Sequence, residues 1–329
     1  MCIRDRAYGL GYQAKYLGMH PTQCSSLFSL VTWLEFAYGI WHPQGGFRAL
    51  SQGLARAAQD LGADIQLNRP VRQVLVEQGC ARGVVLEDGE HVMADAVLIN
   101  ADFGHAVHTL LPDAARGGYS DKKLARMRFS CSTFMLYLGL NRRWEHVPHH
   151  QLYLSDNIRR TERAFLNDSV LDESDPPFYV CNPSIIDPGN APAGHSTLFV
   201  LVPIPNTSHG VHWEAKQRSY RDLIIKRMPI LGYDNVEQHI QTEVCYTADT
   251  WRDEYRVHLG AVFNLVHSWR QLGPLRPHIR SKAASGLYFV GGAVHPGSGL
   301  ITIMEAARSA AHFIGEDISV KLKNLPGVD

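Results

Sequence analysis

From position 44 onward the chain switches between two hydrophobic periods. In "QGGFRALSQGLARAAQDLGADIQL" (44–67), apolar residues recur at Phe47, Leu50, Leu54, Ala57 or Ala58, and Leu61. That spacing predicts an amphipathic helix, and Gly62 supplies its stop. Short β-like runs follow at 64–67, 71–77, 81–87 and 94–100, with Gln78-Gly79 and Asp88-Gly89 between them. Both dipeptides are hairpin chemistry. The last run, "ADAVLINAD", is nearly all apolar. It predicts a strand buried on both faces, as in a central parallel sheet.

The period-2 pattern returns in "MRFSCSTFMLYLGL" (127–140) and, after a polar stretch, at 178–181 and 196–202 around a Pro/Gly/Asn loop. Residues 213–228 read as a helix broken by Gly232, Asp234 and Asn235. Near the end, "GLYFVGGAVHPGSGLITIMEAARSAA" (286–311) passes from an apolar strand through a glycine-rich turn into a helix expected from Ile301. Gly291, Gly292, Gly297 and Gly299 allow close backbone approach, and Pro296 stiffens the turn. The helix start offers free N–H groups and a positive dipole end to an electron-rich oxygen. Ala306, Ala307, Ala310 and Ala311 give that helix a small-residue face. Organisation therefore shifts twice: α/β over 42–108, mixed strands and helices over 109–280, and α/β again over 281–320, with 1–41 ahead and a tail at 321–329.

An earlier string, Gly9-Leu10-Gly11-Tyr12-Gln13-Ala14, mimics the dinucleotide fingerprint. It lacks a preceding buried strand and a following acidic residue in context, so it is read as a decoy.

Composition narrows the classes. The 329 residues carry 32 basic and 32 acidic side chains, with no basic cluster, which argues against a nucleic-acid partner. Six scattered cysteines without a C-x-x-C pair fit a reducing compartment rather than a disulfide framework. "CSSLFSLVTWLEFAYGIW" (24–41) is marginal in length for a membrane span and contains Glu35, so a buried or interfacial helix is expected there. Glu35 is either a buried acid of raised pKa or a helix-surface residue. Seventeen histidines, with His146, His149 and His150 close together and His105 near His108, form no recognised ligand pattern. They read as solvated loop residues, and no metal site is expected. Ser298 does not sit in G-x-S-x-G, which excludes a hydrolase elbow.

Several separated stretches resemble one family, the bacterial and fungal phytoene and carotenoid desaturases, within the wider amine-oxidase-like flavoprotein group. "YLGMHPTQCSSLFSLVTWLEFAYGIWHPQGG" (16–46) is similar to the segment leading into that family's W-Y-P-x-G-G turn. "LNRPVRQV" with "ADAVLINAD" is similar to the second part of its FAD domain. "YVCNPSIIDPGNAPAGHSTLFVLVPIPN" (179–206), and "GAVFNLVHSWRQLGPLRPHIRS" running into "GLYFVGGAVHPGSG", resemble its later motifs. The likeness covers nearly all of 14–315; "MCIRDR" has no counterpart in it.

The resemblance implies an α/β fold: a Rossmann-like FAD/NAD(P)-binding domain, here without its first βαβ unit, carrying an inserted α+β substrate domain. On that view the pyrophosphate loop lies upstream of Tyr16, and the chain is the C-terminal part of an enzyme, about two thirds of it. FAD is the implied cofactor. Carried over position by position, Val71 meets the adenine through its backbone, and Gly45-Gly46 opens a helix near the flavin and substrate channel. Gly291 and Gly292 stand near the ribityl chain, and His295, Pro296, Gly297, Gly299, Leu300 and Ile301 lie beneath the isoalloxazine. Gly292 replaces the carboxylate of amine oxidases, and Ile301 replaces a proline common in carotenoid desaturases.

The implied reaction removes a hydride to flavin and a proton from the neighbouring carbon of a phytoene-like polyene, in carotenoid biosynthesis, with quinone or oxygen as acceptor. His295 is the expected flavin-proximal group and Glu35 a channel acid. Peripheral contact with the inner face of the membrane from the cytoplasm is expected through the aromatic residues of 28–41. Two alternatives stay open: a carotenoid or retinoid isomerase or saturase on the same fold, and a non-catalytic fragment.

Overall fold

The computed structural model describes residues 25–155 and 170–323. The decoy string at Gly9–Ala14 and the start of the 16–46 likeness lie outside them. Helix α1 (Ser29–Tyr38) and helix α2 (Gly46–Asp60) come first. Helix α2 follows the predicted period, yet neither helix buries a residue. Phe47, Leu54 and Leu61 are 61%, 55% and 90% exposed, so the apolar stripe is uncovered among the described residues. In α1, Trp33, Phe36, Tyr38 and nearby Trp41 are likewise exposed. Of the two expectations for this segment, buried or interfacial, that exposure goes against the buried one. At ten residues α1 is also far short of a bilayer, and no described helix is long and apolar enough to cross a membrane.

Three antiparallel strands form a meander, β1 (Val71–Glu77), β2 (Cys80–Leu86) and β3 (His91–Met93). Gln78 and Gly79, both at positive φ (49° and 75°), make the two-residue turn that matches strand twist. After Asp88-Gly89 the hairpin partner is β3, not the predicted 94–100 run. That run instead supplies β4 (Val97–Ile99), paired in parallel with β10 (Leu287–Phe289). Leu98 is 41% exposed, so the strand is covered on one face only. The predicted strand at 64–67 does not form: these residues are irregular, with a bend at Leu67, which is 79% exposed.

Between these halves lies a five-stranded antiparallel sheet in the order β6-β7-β8-β5-β9. Its strands are β5 (Ser132–Leu140), β6 (His150–Tyr153), β7 (Phe178–Cys181), β8 (Ser196–Ile204) and β9 (Ile240–Tyr246). β5 starts five residues later than the pattern predicts, because Phe129 and Ser130 are taken by Leu265 and Asn264 on the segment leading to the glycine turn. Alternation decides the core. Phe134, Leu136, Leu138, Val200 and Val202 point to one face and pack on helix α3 (Trp213–Arg227) through Trp213, Tyr220 and Ile224. A second core under β1, β4 and β10 holds Val74, Phe103, Val107, Leu287 and Tyr288.

Helix α4 (Leu300–Lys323) begins one residue before the expected Ile301. Ala306 and Ala310 are buried one turn apart, whereas Ala307 and Ala311 face outward. The small-residue face is thus one row wide, as a helix lying on a core by one edge requires.

Candidate functional site

β10 delivers the chain into the glycine-rich turn, and the Val290 N–H continues the pairing to the Ile99 carbonyl. Gly291, Gly297 and Gly299 have φ of 125°, 139° and 119°, a region side chains rarely adopt. Space is also closed at Gly297, where a Cβ would stand 2.5 Å from His267 Nε2. That nitrogen accepts from the Ser298 N–H at 3.2 Å, and the Phe28 ring packs edge-on against His267 at 5.7 Å. Sequence reasoning passed over His267, which is buried and supports the turn from behind.

Arg276 was missed as well. Its side chain is 1% exposed and faces carbonyls: Gly292 at 2.6 Å, Gln271 at 3.0 Å and Leu265 at 3.1 Å. Burial pushes its pKa down to about 10, so the cation persists at neutral pH. It draws three backbone segments together behind the turn. Ser298 Oγ also donates to the Gly292 carbonyl, at 3.2 Å. His295 is exposed and donates its N–H to the Pro277 carbonyl, and Pro296 beside it is half-buried.

At the head of α4, Thr302 Oγ1 donates back to the Ser298 and Gly299 carbonyls, both at 2.8 Å. The N–H groups of the first turn have no acceptor within the helix. Leu300 and Ile301 are 49% and 82% exposed. A turn whose four glycines leave backbone open to close approach, a helix start and two open apolar side chains fit a flat, electron-rich ring. Val71 lies elsewhere, at the start of β1, an edge strand whose outer side has no partner among the described strands. An open backbone edge is what a contact through main-chain atoms requires.

Gly45 and Gly46 form a second strained turn, with φ of 79° and 71°. The Gly45 N–H donates to Asp187 Oδ2 at 2.7 Å, and His42 Nε2 lies 3.3 Å from the same oxygen. The Gly45 N–H, with His42 behind it, holds the Asp187 carboxyl below the usual carboxylate range. Glu35 is half-exposed on α1, on a different element from His295.

Beside this turn three histidines pack against one another, His42 and His149 half-buried and His150 exposed. His42 meets His149 edge-on at 5.7 Å, and the His149 and His150 rings lie 3.8 Å apart. His149 Nε2 is 3.4 Å from Cys181 Sγ, and His150 Nδ1 bonds the Tyr179 hydroxyl at 2.5 Å. Strand pairing is the cause, since β6 and β7 set His150 opposite Cys181. Burial, with His150 and His42 alongside, pushes the His149 imidazole down to about 4, and burial raises the Cys181 thiol to about 11. His146 bonds the Gly232 carbonyl and His108 pairs with Asp121, both at the surface.

Across the open face of the sheet runs a chain of rings. Tyr179 lies 5.8 Å from Phe199, Phe199 6.5 Å from Tyr137, and Tyr137 5.4 Å from Tyr246. Tyr255 and Trp251 extend it beyond Tyr246. No Asp, Glu, Lys or Arg occupies this face of the five strands; Glu243, the one acid in β9, stands opposite Leu138 and turns to Arg221 of α3. Two of these hydroxyls are held in the neutral form: burial raises Tyr137, and the bond Tyr255 donates to Tyr246 raises Tyr255 to about 12.

Comparison with known proteins identifies the family. Residues 7–314 match the family described as flavin containing amine oxidoreductase. Among curated proteins, the chain is 52% identical over 309 residues to an all-trans-zeta-carotene desaturase of Myxococcus xanthus, covering 93% of this chain and 58% of that protein. It is 38% identical over 316 residues to a 4,4'-diapophytoene desaturase (4,4'-diapolycopene-forming) of Methylomonas sp, covering 95% and 61%. The chain therefore spans about three fifths of the length of these relatives. Among solved structures, an oxidoreductase from Methanosarcina mazei shares the fold, with a TM-score of 0.62 at 15% identity over 94% of this chain and 65% of that one.

Proposed function

Because the chain belongs to the flavin-containing amine oxidoreductase family, we propose that it desaturates an apolar polyene of the carotenoid-precursor class with FAD as its redox partner. The relatives named above are carotenoid desaturases, which favours this reading over an isomerase or saturase. The observation that carries it is the uncharged aromatic face of the five-stranded sheet. An aliphatic polyene has no hydrogen-bonding group, so a protein can hold it only by excluding water and matching its shape. Half-buried rings in line supply both.

On this reading Gly291, Gly292, Gly297, Gly299, Leu300 and Ile301 form the bed of the flavin ring, and Val71 supplies backbone to the adenine. Bound flavin supplies a two-electron acceptor. The protein's own part is to orient and to dry: Arg276 and His267 hold the turn rigid from behind, and the aromatic face positions the chain of the substrate. Residues 42–108 and 281–320 then make one flavin-binding unit, and 109–280 a substrate unit. A quinone or oxygen completes the cycle. The exposed aromatics of α1 rest on the inner face of the membrane from the cytoplasm, near where a lipid-borne substrate enters. Replacing Trp33 and Phe36 by serine is expected to weaken liposome binding without unfolding the protein; unchanged binding would sink that assignment.

The test of the main reading is direct. The purified chain is incubated with FAD, freed of unbound ligand and examined by visible absorption, then supplied with phytoene in liposomes. A retained, perturbed flavin band with new conjugated double bonds in the product is expected. Flavin retained with product isomerised but not oxidised would replace desaturation by isomerisation. A folded chain that retains no flavin would defeat the reading.

A further inference from the structure

We propose that His149, His150 and Cys181 form a binding site for a zinc-class divalent metal ion. One ligand atom from each lies within 4.8 Å of the other two, among the described residues. One pair, His149 Nε2 and Cys181 Sγ at 3.4 Å, already stands at about the edge length of a tetrahedron built on Zn–N and Zn–S bonds of roughly 2.1 and 2.3 Å. Two imidazoles and one thiolate are a borderline-soft donor set. They suit zinc or cobalt, and they do not suit magnesium, calcium or manganese, which favour oxygen.

The donors sit on paired backbone rather than on loose loops. His150 and Cys181 are register partners across β6 and β7. The Asn182 N–H donates to the His149 carbonyl at 2.8 Å, which fixes the third donor beside them. The Tyr179 hydroxyl on His150 Nδ1 is the kind of outer contact that orients a ligating ring. His42, held by Asp187, closes the corner on the His149 side. Cys181 is buried, His149 is half-buried and His150 is exposed, so an ion has a path in from solvent. Three protein ligands leave a fourth position for water. On binding, the Cys181 thiol loses its proton to solvent and its sulfur forms the metal bond, with no change of oxidation state.

Cobalt(II) is the probe, added to the untagged, reduced, flavin-free full chain, with zinc then titrated in as competitor. The expected result is one equivalent bound in a tetrahedral site: visible ligand-field bands, a thiolate-to-cobalt charge-transfer band, and displacement of both by equimolar zinc. Cys181→Ser should abolish the charge-transfer band, and His149→Gln and His150→Gln should each weaken zinc binding about tenfold or more. Near-ultraviolet circular dichroism reports folding of each variant. If Cys181→Ser does not fold, the exposed His150→Gln decides alone. A weak octahedral cobalt spectrum, or zinc retention unchanged in the variants, would overturn the site and assign the binding to others of the seventeen histidines. None of these readouts depends on flavin or polyene.

Discussion

The glycine-rich turn and the aromatic sheet face solve the problem of holding a ligand in opposite ways. The turn works with backbone: three glycines at positive φ, a helix start, and a buried arginine that gathers carbonyls behind them. The sheet works with side chains on a regular ladder whose backbone would accept almost any residue. Errors at the turn should therefore be steric and close to all-or-none. Errors on the sheet should be graded and confined to the substrate.

Gly297→Ala is the strongest test of that contrast. Its Cβ would enter the His267 ring at a φ of 139°, and a clash plus a strained backbone costs about 3 kcal/mol. A lowered urea midpoint with loss of flavin retention is expected. The matched control is Gly315→Ala, in the middle of α4 with nothing within 4 Å of the added carbon. It should leave flavin binding alone and stabilise by up to about 1 kcal/mol. Equal effects at the two positions would end the argument for a steric cradle.

Arg276→Met comes next. It strands the Leu265, Gln271 and Gly292 carbonyls, each costly when buried without a donor, but it also removes a desolvated charge. The net loss expected is about 2 kcal/mol, again with weaker flavin retention. An unchanged melting temperature would mean that the cation's desolvation cancels its bonds.

How much of this could be read from the chain depended on distance along it. Helix α2, the Gln78-Gly79 turn, most of β5, helix α3 and the terminal strand-turn-helix are local patterns, and each stands within a few residues of its expected place. What failed was long-range. Asp187 reaches Gly45 across 142 positions, and no period or spacing announces such a bond. Arg276, in "PLRPH", looks like any solvated arginine until burial is known. "STLFVLVPI" is apolar on both registers, so it could not say that Val200 faces the core while Phe199 faces the open side. The 64–67 run has the composition of a strand, but a strand also needs a neighbour.

On the sheet, Phe199→Ser probes the graded side of the comparison. Phe199 bridges Tyr179 and Tyr137 and is half-buried, so its loss should cost the fold about 1 kcal/mol. Polyene turnover at low substrate should drop about tenfold, the scale of one aromatic contact area removed from water. Flavin retention should be unchanged. If flavin is lost as well, the two regions are one mechanical unit and the division into backbone and side-chain devices is wrong.

The smallest effect is expected at the second glycine turn, where Asp187 holds the Gly45 N–H and His42. The folded protein holds this carboxyl below its ordinary value of 3.8, so over the intervening pH range the unfolded chain binds more protons than the folded one. Stability from this contact is therefore complete above about pH 4 and fades as pH falls through the lower, folded value. Asp187→Asn keeps an acceptor for the Gly45 N–H and cannot titrate. The wild type should be the more stable protein at neutral pH, and the gap between the two melting curves should close on acidification below 3.8. A gap constant over that range would mean that the Gly45 turn gains from the shape of the side chain and nothing from its charge.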